Sequence, residues 1–213
     1  MIRVTLADDH EVVRTGIKML LEADPEITVV SEAADGMEAY SLVTRDKPDV
    51  LLLDISMPPG QSGLVACEKV AKDFPATKVV ILTMFAEPEY LLYTLRGGAA
   101  GYVLKNSTSE QLHEAVHAVA EGGTYIHPTM ASLLAQHMGS ANAKDPSFQQ
   151  LTARELEILQ FIARGFTNKE IAERMFLSVK TVEAHRSKIY RKLNLKTRAD
   201  AVDYALRHKL MDV

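Results

Sequence analysis

Short apolar runs alternate with amphipathic stretches through the first half of the chain, and each run ends on polar residues. Ile2 to Leu6 leads into Asp8 and Asp9, Val50-Leu51-Leu52-Leu53 into Asp54, Val79-Val80-Ile81-Leu82 into Thr83, and Tyr102-Val103-Leu104 into Lys105. Runs of this length, rich in β-branched residues and separated by helical periodicity, predict buried parallel strands of an alternating β/α domain. Open sheets of that kind bind ligands outside the carboxyl ends of their strands, at a topological switch point. The pattern therefore brings three carboxylates, a hydroxyl and an ammonium to one pocket.

A single aspartate after a strand is usually a helix cap or a solvated loop residue. Four such residues at four strand ends, in this order, point to shared chemistry. Carboxylate oxygens with backbone carbonyls suit a hard cation, Mg²⁺ before zinc, with Asp8 and Asp9 as the ligand candidates. Asp54 beside that metal can attack a phosphoryl group and form an aspartyl phosphate. Lys105 can neutralise charge on the transferred group, and the Thr83 hydroxyl can hydrogen-bond one of its oxygens.

The last third of the chain has helical periodicity only. Thr152 with Glu155 forms a capping box that opens a helix carrying Leu156, Leu159 and Ile162, and Gly165 closes it. Asn168 is the expected cap of a second helix with Ile171, Ala172 and Met175, Ser178 of a third through about Leu193, and Thr197 of a fourth through about His208. Two short helices joined by a tight turn, the later one basic, form a helix-turn-helix pattern. The third helix sets Lys180, Arg186, Lys188, Arg191 and Lys192 against one acid, Glu183, with Val179, Val182, Ile189 and Leu193 as its inner face. A basic helix alone is often a solvated face; the short helix and capped turn before it favour DNA. On the fourth helix Ala201, Val202, Ala205 and Leu206 make an apolar stripe, either a dimer surface or the lid of the monomer's core.

Between the halves, Pro128 opens a short helix through Met138, with Met130, Leu133, Leu134 and Met138 available to pack on one domain or the other. Residues 139–147 are small and polar, as in a flexible linker. The expected division is 1–122, a connecting segment 123–148, and 149–213. Charge follows it: residues 148–213 hold 13 Lys and Arg against 8 Asp and Glu, whereas 1–147 hold 11 against 20. The net charge of −4 over 213 residues hides a basic module. No run approaches a membrane span, no signal peptide opens the chain, and the lone Cys67 excludes an internal disulfide, so a cytoplasmic protein is expected.

Leu-Ala-Asp-Asp-His near the start, Val-Leu-Leu-Leu-Asp-Ile-Ser-Met-Pro at 50–58, Ile-Leu-Thr-Met at 81–84 and Gly-Tyr-Val-Leu-Lys at 101–105 resemble the receiver domain of two-component response regulators. The resemblance implies a flavodoxin-like doubly wound (βα)5 fold with a parallel sheet. It makes Asp54 the phospho-acceptor of a sensor histidine kinase, with Asp9 ligating Mg²⁺ directly, Asp8 in support and the Ser56 backbone carbonyl completing the site. Thr83 and Tyr102 become a switch pair in which the ring follows the hydroxyl inward. Three departures stand out. The loop Met57 to Gly63 is one residue longer than usual, Asn106 follows Lys105 where a cis proline is common, and Met84 stands where a small residue is frequent.

Leu151 to Leu159, Gly165 to Ala172 and Leu177 to His185 resemble the LuxR-type tetrahelical DNA-binding domain, an all-α helix-turn-helix unit. A receiver joined to it defines the NarL/FixJ class, and the Met-Pro-Pro-Gly-x-Ser-Gly loop is similar to that of the NreC-type regulators of nitrate respiration. By this resemblance the protein is a transcription factor that binds double-stranded promoter DNA as a homodimer. Glu183, Ala184 and Ser187 lie nearest the bases, Lys180, Arg186, Lys188 and Lys192 contact phosphates, and Thr181 and Arg191 complete the DNA-binding set. Glu183 either accepts from a cytosine amino group or holds a basic neighbour. His185 is a packing or capping element. Of the alternatives, an aspartyl phosphatase lacks its Asp-x-Asp signature, since Ile55 and Ser56 follow Asp54. A small-molecule-sensing LuxR-type regulator does not require the four strand-end residues.

Overall fold

A computed structural model describes residues 1–57, 61–139, 150–208 and 210, without the side chains of 137–139. The chain divides into two compact units, Met1–His137 and Met138–Val213. Among the described residues no helix is long and apolar enough to cross a membrane.

In the first unit, β1 (Ile2–Ala7), α1 (Glu11–Glu22), β2 (Ile27–Ala33), α2 (Gly36–Asp46), β3 (Val50–Leu53), α3 (Gly63–Asp73), β4 (Lys78–Thr83), α4 (Pro88–Arg96), β5 (Gly101–Leu104) and α5 (Ser109–Ala120) alternate as expected. All four side chains of β3 are fully buried, each contributing roughly 2 kcal/mol of apolar transfer energy. Helix starts are fixed locally: Asp35 accepts from the amides of Met37 and Glu38, and Thr108 and Gln111 form a capping box. The six-stranded sheet runs β2-β1-β3-β4-β5-β6, where β6 is Tyr125–Ile126, and every pair is parallel. Ile17 and Leu21 of α1 share a core with Leu112, Ala115, Val116 and Val119 of α5 on one face of the sheet.

Two readings of the connecting segment change. Residues 125–126 form a sixth strand, β6 (Tyr125–Ile126), paired with Gly101 and Tyr102, and α6 (Pro128–Gly139) follows it with Met130 fully buried. Residues 123–137 fall within the first compact unit. A strand of two residues between Gly122-Gly123 and Pro128 has no alternation to detect. Leu133 and Leu134 are half-buried, and the side chain of Met138 lies outside the described residues. So do all of the proposed 139–147 linker beyond its first residue and residues 58–60 of the lengthened loop. Cys67 is buried, and that burial pushes its thiol up to about 12.

The second unit holds α7 (Ala153–Ala163), α8 (Asn168–Arg174), α9 (Val179–Lys192) and α10 (Arg198–Arg207). Thr152, Ser178 and Thr197 cap as expected, and Gly165 takes φ of 98° after α7. Asn168 is not the cap of α8: Thr167 accepts from the Glu170 amide and closes a full capping box, leaving Asn168 as the first helical residue. Val182, Ile189 and Leu193 face inward, but Val179 is 41% exposed because it opens the helix at the turn. Ala201 and Ala205 are fully buried in the core that α10 shares with α7, and so cannot form a dimer surface. Of that stripe, Val202 is half-buried and Leu206 is 47% exposed.

Candidate acidic pocket and nucleic-acid interface

Register carries the strand-end residues to one end of the sheet. Ala7 lies opposite Leu53, Leu53 opposite Ile81 and Ile81 opposite Tyr102, so Asp8 and Asp54 leave the sheet side by side, with Thr83 one residue and Lys105 two residues beyond them. Backbone bonds hold them there: the Asp54 amide donates to Ala7 and the Lys105 amide to Thr83. The Lys105 ammonium sits 2.6 Å from Asp54 Oδ2 and 2.6 Å from Asp8 Oδ2. Asp9 stands beside them, half-buried, its Oδ1 2.7 Å from His10 Nδ1. The exposed Ser56 donates its amide to Asp54 Oδ1 at 3.4 Å.

One ammonium among three carboxylates leaves the pocket strongly negative. Burial raises the Asp54 carboxyl above the ordinary carboxylate range, an effect that Lys105 opposes and Asp8 reinforces. Burial also works against the charge on Lys105, but hydrogen bonds to Asp54 and Asp8 prevail and hold it above its usual value. An all-oxygen donor set with surplus negative charge fits Mg²⁺, and Asp8, Asp9 and Asp54 are the residues able to hold it. His10, which the sequence reading passed over, adds an imidazole to the rim of that set.

Thr83 is fully buried, and its hydroxyl accepts from the Phe85 amide at 3.2 Å. Tyr102 is already inside, fully buried, with its hydroxyl donating to the Phe85 carbonyl at 2.8 Å. The Phe85 ring stacks on Tyr90 of α4, centroids 4.6 Å apart. Met84 is 70% exposed. Gly63 was also missed: a Cβ there would lie 1.7 Å from the Asp54 carbonyl oxygen, so only glycine lets α3 start against the acceptor's backbone.

On α9, Lys180, Glu183, Ala184, Ser187, Lys188 and Arg191 are all exposed, at spacings that line one face. Among the described residues Glu183 enters no ion pair, while its carbonyl accepts from the Ser187 hydroxyl at 2.9 Å. The half-buried Thr181 bonds its hydroxyl to that of Ser178, and the half-buried Arg186 lies over the Tyr190 ring, 5.1 Å from its centroid. Lys192 departs from its expected role. Its ammonium is spent inside the unit, 2.5 Å from the buried Glu155 carboxylate and 2.9 Å from the Gln150 carbonyl. His185 is half-buried, and burial lowers its pKa.

Comparison with known proteins agrees with both halves. Residues 4–117 match the response regulator receiver domain, and residues 149–205 match the bacterial regulatory proteins of the luxR family. The chain is 51% identical over 215 residues to the oxygen regulatory protein NreC of Staphylococcus carnosus, covering 99% of each. It is equally close, 51% over 216 residues, to NreC of Staphylococcus aureus. Among solved structures it resembles the response regulator ChrA of a heme-sensing two-component system, at 37% identity and a TM-score of 0.55 over 99% of this chain and 98% of that one. It also resembles RcsB of Salmonella enterica bound to promoter DNA with a phosphomimetic, at 28% identity and a TM-score of 0.69 over 100% and 99% of the two chains.

Proposed function

The chain belongs to the response regulators that join a receiver domain to a luxR-family DNA-binding domain, and from that premise we propose that Asp54 is its phospho-acceptor, supplied by a sensor histidine kinase. It is a transcription regulator and not an enzyme. The Lys105 ammonium, shared by Asp54 and Asp8, is the observation that carries the assignment. Asp8, Asp9 and Asp54, with the Ser56 carbonyl, would hold Mg²⁺, which would supply positive charge to the phosphoryl oxygens. An Asp54 oxygen forms the bond to phosphorus as the donor's bond breaks. Lys105 follows the charge outward to a phosphoryl oxygen, and the Thr83 hydroxyl turns toward another, drawing away from the Phe85 amide.

The DNA-binding unit sets α9 in the major groove, with Glu183, Ala184 and Ser187 toward base edges and Lys180, Lys188 and Arg191 toward phosphates. Thr181 and Arg186 stand at the margins of this face. Two copies bind half-sites about one helical turn apart, with Val202 and Leu206 available for the dimer contact. By analogy with the staphylococcal oxygen regulatory proteins, the target genes answer to oxygen, nitrate respiration genes among them, and the protein acts in the cytoplasm. Incubation with acetyl phosphate tests the central assignment: one hydroxylamine-sensitive phosphate forms with Mg²⁺, none in chelator and none in Asp54→Asn. Labelling that persists in Asp54→Asn overturns it.

A further inference from the structure

Away from the acidic pocket, the described residues hold one other group of metal-ligating side chains. Asp24 and Glu26 lie in the turn between α1 and β2, and His117 reaches them from α5, with donor atoms within 4.8 Å of one another. His117 Nε2 is 2.8 Å from Asp24 Oδ2, while Asp24 Oδ1 accepts from the Glu26 amide at 2.8 Å. That amide fixes the carboxylate and leaves Oδ2 turned toward the imidazole. Such support from a neighbouring bond is what orients ligands in built metal sites.

One turn earlier on α5, His113 Nε2 bonds the Leu20 carbonyl at 2.7 Å. Residues 113–117 read His-Glu-Ala-Val-His, which sets two imidazoles four apart on one helical face, the spacing with which helices chelate zinc. A plain His–Asp ion pair uses one carboxylate. Here a second carboxylate stands within ligand range of the same imidazole, and the pair of acids carries surplus negative charge that a cation relieves. A mixed imidazole and carboxylate set selects first-row transition metals over Mg²⁺.

We propose that Asp24, Glu26 and His117 form a divalent transition-metal site of the zinc type, joined by His113 when it releases the Leu20 carbonyl. Glu114, the acid of the sequence motif, is exposed and outside the donor group, so the site ties α5 to the α1–β2 turn and performs no hydrolysis.

The test uses the full chain in saturating Mg²⁺, which occupies the acidic pocket, with Zn²⁺ titrated against a chromophoric chelator. One Zn²⁺ binds per chain, and the melting temperature rises with it. His117→Gln, which keeps a donor for Asp24 and the fold, weakens binding by about tenfold or more, whereas Asp9→Asn leaves it unchanged. Co²⁺ in place of Zn²⁺ gives a visible absorption band that His117→Gln removes. Zinc binding that survives His117→Gln at full strength, that falls only in Asp9→Asn, or that does not saturate below millimolar concentration overturns the site.

Discussion

Tyr102 and Thr83 are joined through a single residue: the Tyr102 hydroxyl donates to the carbonyl of Phe85, whose amide donates to the Thr83 hydroxyl. A hydroxyl that turns toward the pocket therefore disturbs the residue that holds the tyrosine, and through the Phe85–Tyr90 stack it disturbs α4. Tyr102→Phe keeps the ring and removes the bond, at a cost of about 1 kcal/mol. Labelling at Asp54 should persist, while the gain in DNA affinity on phosphorylation shrinks. Titrating promoter DNA at one salt concentration, with and without acetyl phosphate, reads this directly; an undiminished gain removes the Phe85 link.

Lys105 and Mg²⁺ relieve the same repulsion. Lys105→Ala leaves Asp8 and Asp54 facing each other, buried, and should destabilise the receiver by about 3 kcal/mol in chelator. Added Mg²⁺ should then raise the melting temperature more in the variant than in the parent, because the ion takes over part of the lost neutralisation. Equal Mg²⁺ effects in both proteins contradict a shared role.

The lysines of α9 divide by function. Lys188→Ala should weaken binding to all sequences and reduce the salt slope by about one contact, without affecting folding. Lys192→Ala instead strands the buried Glu155 carboxylate and should cost about 3 kcal/mol of stability in the DNA-binding unit. Burial pushes the Glu155 carboxyl up, but Lys192 and the Thr152 amide prevail and hold it below its usual value. A depressed carboxyl stabilises fully above its unfolded pKa, so this contribution is lost as pH falls through and below about 4.5. Thermal melts across that range should show a steeper acid loss in the parent than in Lys192→Ala.

Phe176 holds φ of 52° in the turn between α8 and α9, with its ring 82% exposed. An aromatic residue gains nothing from that conformation, whereas asparagine tolerates it. Phe176→Asn should raise the stability of the unit by up to about 1 kcal/mol, measured by denaturant titration. A loss instead would show that the ring makes contacts in the unit that offset its backbone strain.

The sheet and pocket were legible because four apolar runs each end on a residue fit for phosphoryl chemistry, so order alone placed Asp8, Asp54, Thr83 and Lys105 at one end of the sheet. What stayed hidden depends on distant partners. Lys192 looks like its basic neighbours until Glu155, far away in sequence, is packed beneath it. Ala201 and Ala205 advertise burial, but periodicity does not say whether the cover is α7 or a second chain. Thr167 and Asn168 are both good caps, and only the backbone decides which stands first. Gly63 reads as part of a turn, and its need for a bare Cα becomes visible only against Asp54.

The short strand β6 bears on how the chain can be cut. Its Tyr125 and His127 amides satisfy the carbonyls of Ala100 and Tyr102, so a receiver fragment ending at 122 would expose that side of β5 as a raw sheet edge. Unpaired edges recruit other strands, and such a fragment would tend to aggregate for reasons unrelated to phosphorylation. A fragment carried through His137 keeps its border covered, and phosphorylation of an isolated receiver is best measured on that longer piece.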